Sequence, residues 1–283
     1  MTVQTLMVAG AGQMGSGIAQ SAALSGIKVY LYDIDPGKAD GAIASIASRL
    51  ARDVQKGRRS KEEAELAASR ISRLGELGGA RDVDLVIEAV HEDAEMKEAL
   101  FRALDGICRE ETILASNTSS LSITRLAAVT KRPDKVVGIH FMNPVQVMPL
   151  VEVIRGLATS DKTYAAACKL AEQMGKTPIE AGDSPGFVSN RVLMPMINEA
   201  IFCVYEGVAS PASVDQMMKL GMNHPMGPLA LADMIGLDTC LSIMEVLQQG
   251  FGDSKYRPCP LLKKYVSAGW LGKKTGRGFY IYE

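Results

Sequence analysis

The stretch Thr5-Leu6-Met7-Val8-Ala9-Gly10-Ala11-Gly12-Gln13-Met14-Gly15 decides the fold. A short apolar run breaks into Gly10, Gly12 and Gly15, spaced G-x-G-x-x-G, and a helix-compatible stretch begins near Met14. A buried strand that turns sharply into a helix is the start of a βαβ unit, and this spacing suits a dinucleotide. The first glycine permits the tight turn, the second lets the backbone approach a pyrophosphate, and the third lets helix and strand pack closely. The helix start then offers N–H groups and a positive dipole end to phosphate.

Outward from this point the pattern repeats. Val29 to Tyr32, Leu85 to Ala89, Ile113 to Ala115, Val136 to His140 and Leu150 to Ile154 are further short apolar runs, separated by helical stretches. They predict a parallel sheet in a doubly wound α/β domain. The Val29 run ends in Asp33, whose carboxylate can accept both adenosine ribose hydroxyls and would repel a 2′-phosphate, so NAD is favoured over NADP. Asp35 is the weaker partner, because with Pro36 it reads as a helix start. FAD proteins share the glycine fingerprint but usually carry further nucleotide-binding segments and greater length. A glycine-rich turn that binds no nucleotide is the remaining reading.

Between Asp35 and Leu77 the chain is richer in Ala, Arg, Lys and Glu than one crossover helix needs, and it breaks near Gly57 and Ser60. Two helices forming an excursion over about residues 36–77 are expected. Arg49, Arg52 and Lys56 share one helix face, either as a solvated stripe or as a grip on a phosphorylated ligand. The punctuation Asp183-Ser184-Pro185-Gly186 ends the strand-like pattern and predicts a boundary, with residues 1–184 forming the nucleotide-binding domain and 185–283 an all-helical domain. Its helices are expected at Val188 to Glu206, Pro211 to Leu220 and Gly227 to Leu247. Its methionine-rich runs suit adaptable core or a subunit contact.

His140 ends the fifth run, on the sheet edge where open α/β folds bind ligands. Glu152 lies inside the apolar run Leu150 to Ile154, where a carboxylate must find a partner. A histidine in contact would have its tautomer set and its cationic form stabilised, making a pair suited to moving an alcohol proton. The spacing alone does not establish that contact. His91 competes for the role, and His224, between Asn223 and Pro225, reads as a turn residue. Glu92 and Lys97 taken by themselves read as a solvated helix pair.

The net charge of −1 gives no general pull toward nucleic acid or acidic membranes. Five dispersed cysteines and three histidines argue against a zinc site or a disulfide framework. No segment has the length and apolarity of a membrane span, the amino terminus lacks a signal-peptide pattern, and a cytoplasmic protein is expected.

Together the dinucleotide loop, Ala115-Ser116-Asn117-Thr118-Ser119-Ser120, His140-Phe141-Met142-Asn143-Pro144 with Leu150-Val151-Glu152-Val153, Pro185-Gly186-Phe187 through Asn190-Arg191, and His224-Pro225-Met226-Gly227-Pro228 carry a resemblance. The chain resembles the short-chain L-3-hydroxyacyl-CoA dehydrogenases over nearly its full length. The resemblance implies a Rossmann-like domain, a helical domain that forms a homodimer, and an acyl-CoA substrate, short-chain acetoacetyl-CoA or (S)-3-hydroxybutyryl-CoA above all, in the cleft between them. It implies His140 and Glu152 as the catalytic pair, with Ser119 and Asn190 holding the substrate oxygens. It implies NAD(H) contacts from the loop Gly10, Gly12, Gln13, Met14 and Gly15 and from Asp33, Glu92, Lys97, Ser119, Asn143 and Lys274. CoA contacts fall on the helical excursion, which makes Arg49, Arg52 and Lys56 a phosphate site, with Ser119 and Asn190 at the acyl end. Met142, where an aromatic is common, and Pro149, where a lysine is common, depart from the pattern and bear on substrate detail. A dehydrogenase of a free hydroxy acid such as L-gulonate, a non-catalytic NAD-binding sensor and a fragment of a larger multienzyme are the other readings. The chain ends after Gly278-Phe279-Tyr280 as the stand-alone enzymes do, which favours a self-sufficient enzyme.

Overall fold

Eight strands form one sheet in a computed structural model that describes residues 2–283. They are β1 (Thr5–Ala9), β2 (Lys28–Tyr32), β3 (Ile71–Arg73), β4 (Leu85–Glu88), β5 (Ile113–Ser116), β6 (Val136–Phe141), β7 (Leu150–Arg155) and β8 (Thr177–Gly182), in the order β3-β2-β1-β4-β5-β6-β7-β8. β1, β4, β5, β6 and β7 are buried along almost their whole length, which is why they show as apolar runs. The chain winds out from β1 to β3 on one side and from β4 onward on the other, so the order reverses between β1 and β4. In open α/β sheets ligands bind at such a reversal, beyond the carboxyl ends of the strands.

Two corrections apply to the parallel sheet expected from the sequence. β6 pairs parallel with β5, but β7 runs antiparallel to β6, and β8 follows β7. The short connection from Met142 to Pro149 has no room for the crossover that a parallel neighbour requires. In addition, β3 and β8 are absent from the apolar runs because they are edge strands with mostly exposed or half-exposed residues.

Helix α1 (Gln13–Leu24) lies close on the sheet because its buried positions are mostly Gly, Ser and Ala. The excursion is formed by α2 (Pro36–Gln55) and α3 (Lys61–Ser69). Asp35 caps α2 by accepting the Gly37 N–H, with Pro36 at the first helical position. Ser60 starts α3 with a reciprocal capping box to Glu63. Helices α4 (Ala94–Ile107), α5 (Ile123–Ala128) and α6 (Asp161–Gln173) complete this unit, which ends at Asp183. Its core contains Leu6, Val8, Ile18, Val29, Leu31, Ile87, Val137, Ile139, Phe141 and Val153.

The second unit, Ser184–Glu283, has its own core around Met194, Ile197, Ile201, Leu229, Leu237, Met244, Leu247 and Leu262. Its helices are α7 (Ser189–Tyr205), α8 (Pro211–Gly221), α9 (Pro228–Ile235), α10 (Leu237–Phe251) and α11 (Pro260–Ser267). The single helical segment expected from Gly227 to Leu247 is two helices, broken at Gly236 with φ 104°. His224 lies in the turn after α8. The carboxyl-terminal segment is pinned by two buried carboxylates. Asp233 accepts the N–H groups of Phe279 and Tyr280 and the Tyr282 hydroxyl, each at 3.0 Å, and Asp215 accepts the Tyr280 hydroxyl at 2.8 Å.

Replacing Asp233 with Ala removes the acceptor for three donors and should destabilise the second unit by on the order of 3 kcal/mol. Urea unfolding together with carboxypeptidase digestion would register this as a lower midpoint and a cleavable tail. An unchanged midpoint with a protected tail would contradict the pinning role.

Candidate functional site

The antiparallel pairing of β6 with β7 puts His140 directly opposite Glu152. His140 Nδ1 and Glu152 Oε2 are 2.8 Å apart, with both side chains buried. The two residues that the sequence leaves twelve positions apart are therefore in contact. A carboxylate fixed on Nδ1 sets the ring orientation and offsets positive charge when the second ring nitrogen takes a proton. His91, by contrast, is exposed in the loop after β4. The neighbouring strand end is tied to β6 by Asn117, whose Oδ1 accepts the Phe141 N–H at 2.9 Å. That contact keeps the segment Asn117 to Ser120 beside the end of β6.

The glycine loop shows two different uses of the missing side chain. A Cβ on Gly15 would lie 1.8 Å from the Gly10 carbonyl oxygen, so the loop itself excludes it. A Cβ on Gly12 would meet nothing within 4 Å, and its φ of −68° is open to any residue. Protein packing therefore does not require glycine there, whereas a pyrophosphate drawn close to the backbone would. Gly12 is also the N-cap of α1, which starts at Gln13 with no side chain capping it, as an anion-binding helix start does.

Asp33 stands beside this loop: it accepts the Ala11 N–H at 2.9 Å and the Asp35 N–H at 3.0 Å. Those bonds use part of a carboxylate's acceptor capacity and leave room for ribose hydroxyls. Gln13 Nε2 donates to Asn143 Oδ1 at 3.1 Å, which brings Asn143 to the same loop. The residues present thus fit a dinucleotide.

Glu92 and Lys97 are not the solvated helix pair that their sequence suggests. The Lys97 side chain is 1% exposed, on the first turn of α4, and its ammonium lies 2.6 Å from Glu88 and 3.1 Å from Glu92. Glu92 accepts the hydroxyls of Thr118 and Ser120 and the Ser119 N–H. Burial pushes the Glu92 carboxyl up, but Lys97 and these hydroxyls outweigh it and hold the group below the ordinary range. For Glu88 burial prevails over Lys97, and its carboxyl is raised. Sequence reading missed Glu88. The available signal was a carboxylate closing the apolar run Leu85-Val86-Ile87, where it must be partnered.

Arg49 and Arg52 on α2 and Lys56 at its carboxyl-terminal cap line one cavity of about 730 Å³ with Arg58, Arg59 and Lys176. Asp53 is its one acidic lining residue. Arg49 donates to Gln20 at 2.7 Å and Ser45 at 2.9 Å, while its Nη2 is buried without a hydrogen-bond partner. It also lines a second cavity of about 420 Å³ that reaches Gly12, Gln13 and Asn143. So many cations around one hollow suit a multiply charged phosphate better than a solvated stripe. In the second unit, Asn190 sits on the first turn of α7. Lys274, in a single helical turn, pairs with Asp238 at 2.6 Å. No cluster of His, Cys, Asp or Glu suited to a metal ion occurs among the described residues.

Residues 5–184 match the NAD binding domain family of 3-hydroxyacyl-CoA dehydrogenase, and residues 186–282 match its C-terminal domain family. A probable 3-hydroxybutyryl-CoA dehydrogenase of Bacillus subtilis is 64% identical over 100% of this chain and 99% of its own length. A 3-hydroxybutyryl-CoA dehydrogenase of Clostridioides difficile is 50% identical over 98% of this chain and 99% of its own. The crystal structure of (S)-3-hydroxybutyryl-CoA dehydrogenase from Ralstonia eutropha superimposes with a TM-score of 0.96 at 51% identity, covering 100% of both chains.

The contrast between the two glycines is testable by thermal unfolding and NADH fluorescence titration. Gly12→Ala should stay within about 1 kcal/mol of the parent in stability yet bind NADH about tenfold more weakly, the equivalent of one lost hydrogen bond. Gly15→Ala should lose about 2 to 3 kcal/mol of stability through overpacking. Full NADH affinity in Gly12→Ala would show that the open space there is not a cofactor cradle.

Proposed function

The chain belongs to the 3-hydroxyacyl-CoA dehydrogenase family, and we propose that it interconverts (S)-3-hydroxybutyryl-CoA and acetoacetyl-CoA with NAD(H). The His140–Glu152 contact is the observation that carries this reading, because alcohol oxidation needs a base that can hold the released proton. The names of its relatives supply the acyl-CoA class and the short chain.

In the oxidising direction His140 removes the C3 hydroxyl proton through its second ring nitrogen. Glu152, 2.8 Å from Nδ1, offsets the charge the ring acquires. Bound NAD supplies the acceptor for the C3 hydride. In reduction His140 returns the proton to the oxygen at C3. Ser119 and Asn190 orient the substrate oxygens, a role the family resemblance assigns them. The glycine loop with Gln13 and Met14 would hold the pyrophosphate, Asp33 the adenosine ribose, and Asn143, Ser119, Glu92, Lys97 and Lys274 the remainder of the cofactor. Arg49, Arg52 and Lys56 would grip the phosphates of CoA, and the cationic cavity they line supports this.

Exposed apolar side chains on the second unit, among them Val192, Leu220 and Met222, support a homodimer formed through that unit. The five cysteines are unpaired, which fits a reducing, cytoplasmic setting. Among the described residues no helix is long and apolar enough to cross a membrane.

His140→Gln should lower kcat by about 10²- to 10⁴-fold while leaving the Kd for NADH essentially unchanged. Undiminished turnover would remove His140 from the reaction. Reversing the charges of Arg52 and Lys56 to Glu should raise KM for acetoacetyl-CoA about tenfold or more, as expected for a lost charge-assisted hydrogen bond. An unmoved KM would favour a free hydroxy acid as substrate.

A further inference from the structure

The loop that carries Ser119 contains no regular structure between the end of β5 and the start of α5. Two chains of hydrogen bonds hold it, and both begin at Glu88. In the first, Ser116 donates to Glu88 Oε2 at 2.6 Å, and the Ser116 hydroxyl oxygen accepts the Thr118 N–H at 3.1 Å. The parallel register sets this up, since Glu88 and Ser116 are direct neighbours on β4 and β5. In the second, Lys97 donates to Glu88 Oε1 at 2.6 Å and also pairs with Glu92 at 3.1 Å. Glu92 in turn accepts the Thr118 and Ser120 hydroxyls and the Ser119 N–H at 3.0 Å. Glu88 Oε1 also accepts the Val90 N–H at 2.7 Å, which fixes the path of the chain toward Glu92.

Glu88 is fully buried, at 0% exposure, so water cannot replace any of these bonds. A buried carboxylate and ammonium contribute little net stability compared with apolar residues of the same shape, and such a pair is not explained by folding alone. What it does provide is a fixed position. With Glu88 neutral, Lys97 would be drawn toward its remaining acid, Glu92, and Glu92 away from the three groups it holds around Ser119.

We propose that Glu88 is a positioning residue for the reaction, acting through Ser116 and through Lys97 and Glu92 to hold Ser119 where it meets the substrate oxygen. The inference rests on the acyl-CoA reading above. The contacts of Glu88 are with Val90, Lys97 and Ser116, and its effect is on the geometry of the Ser119 loop.

The test is a double-mutant cycle with Glu88→Gln and Ser119→Ala, measuring kcat for acetoacetyl-CoA reduction at saturating NADH alongside the thermal midpoint. Misplacement of a substrate-positioning group predicts that Glu88→Gln, once folded, loses between about 10- and 100-fold in kcat. The double variant should then fall no more than about twofold below Ser119→Ala alone, because both changes remove the same contribution. A purely structural role would make the two losses multiply. If Glu88→Gln does not fold, Ser116→Ala, which cuts the first of the two chains between Glu88 and Thr118, takes its place in the same cycle. Wild-type kcat in the Glu88 variant, multiplying losses, or a Ser119→Ala enzyme as fast as the parent would each overturn the proposal. A parent enzyme that does not reduce acetoacetyl-CoA would instead overturn the substrate reading beneath it.

Discussion

The antiparallel pairing of β6 with β7 is the constraint on which the candidate site depends. It places a carboxylate opposite an imidazole in the interior of a sheet, 2.8 Å apart, where neither has an easy route to water. Had β7 followed β6 in parallel, a long crossover would have separated them and the register would no longer set Glu152 against His140. The short return through Met142 to Pro149 also brings Asn143 back to the glycine loop, where Gln13 holds it. One reversal of strand direction therefore builds the His140–Glu152 pair and places a polar residue at the glycine loop.

The electrostatics of the first unit follow a common plan. Carboxylates at or just beyond strand ends collect N–H groups and hydroxyls from neighbouring segments: Asp33 takes Ala11, Glu88 takes Ser116 and Val90, and Glu92 takes the Thr118 to Ser120 loop. Asp183, the last residue of the unit, caps α5 through the Ile123 and Thr124 N–H groups. Loops at the ligand edge of an α/β sheet carry many unpaired backbone donors, and anchored acids satisfy them without filling the site. The cations Arg52, Lys56 and Arg58 gather instead around the α2 hollow. Separating the two signs leaves one region built from fixed acceptors and another suited to phosphate.

Much of this was legible in one dimension. Central strands buried on both faces leave unbroken apolar runs, and the glycine spacing with Asp33 at the next strand end carries its own geometry. The two-helix excursion and the helical character of the second unit were also readable. Edge strands β3 and β8 were not, since residues such as Arg73, Thr177 and Glu180 face solvent and break the pattern. The direction of β7 was hidden because apolar periodicity carries no sign. The contact of His140 with Glu152 needed the register, which no spacing supplies. Lys97 was among the least visible, because a charged residue near a helix start ordinarily means a solvated surface, and Glu88 went unread at the end of an apolar run; only the three-dimensional packing shows them 1% exposed or less.

The most direct test of the account is the initial rate of NADH oxidation with acetoacetyl-CoA, run beside NADPH and beside free acetoacetate. The account predicts rapid turnover with NADH and acetoacetyl-CoA, much slower turnover with NADPH because Asp33 repels a 2′-phosphate, and almost none with acetoacetate, which lacks the CoA phosphates that the cationic hollow would hold. Equal rates with acetoacetate, or NADH binding without any reduction of acetoacetyl-CoA, would contradict it.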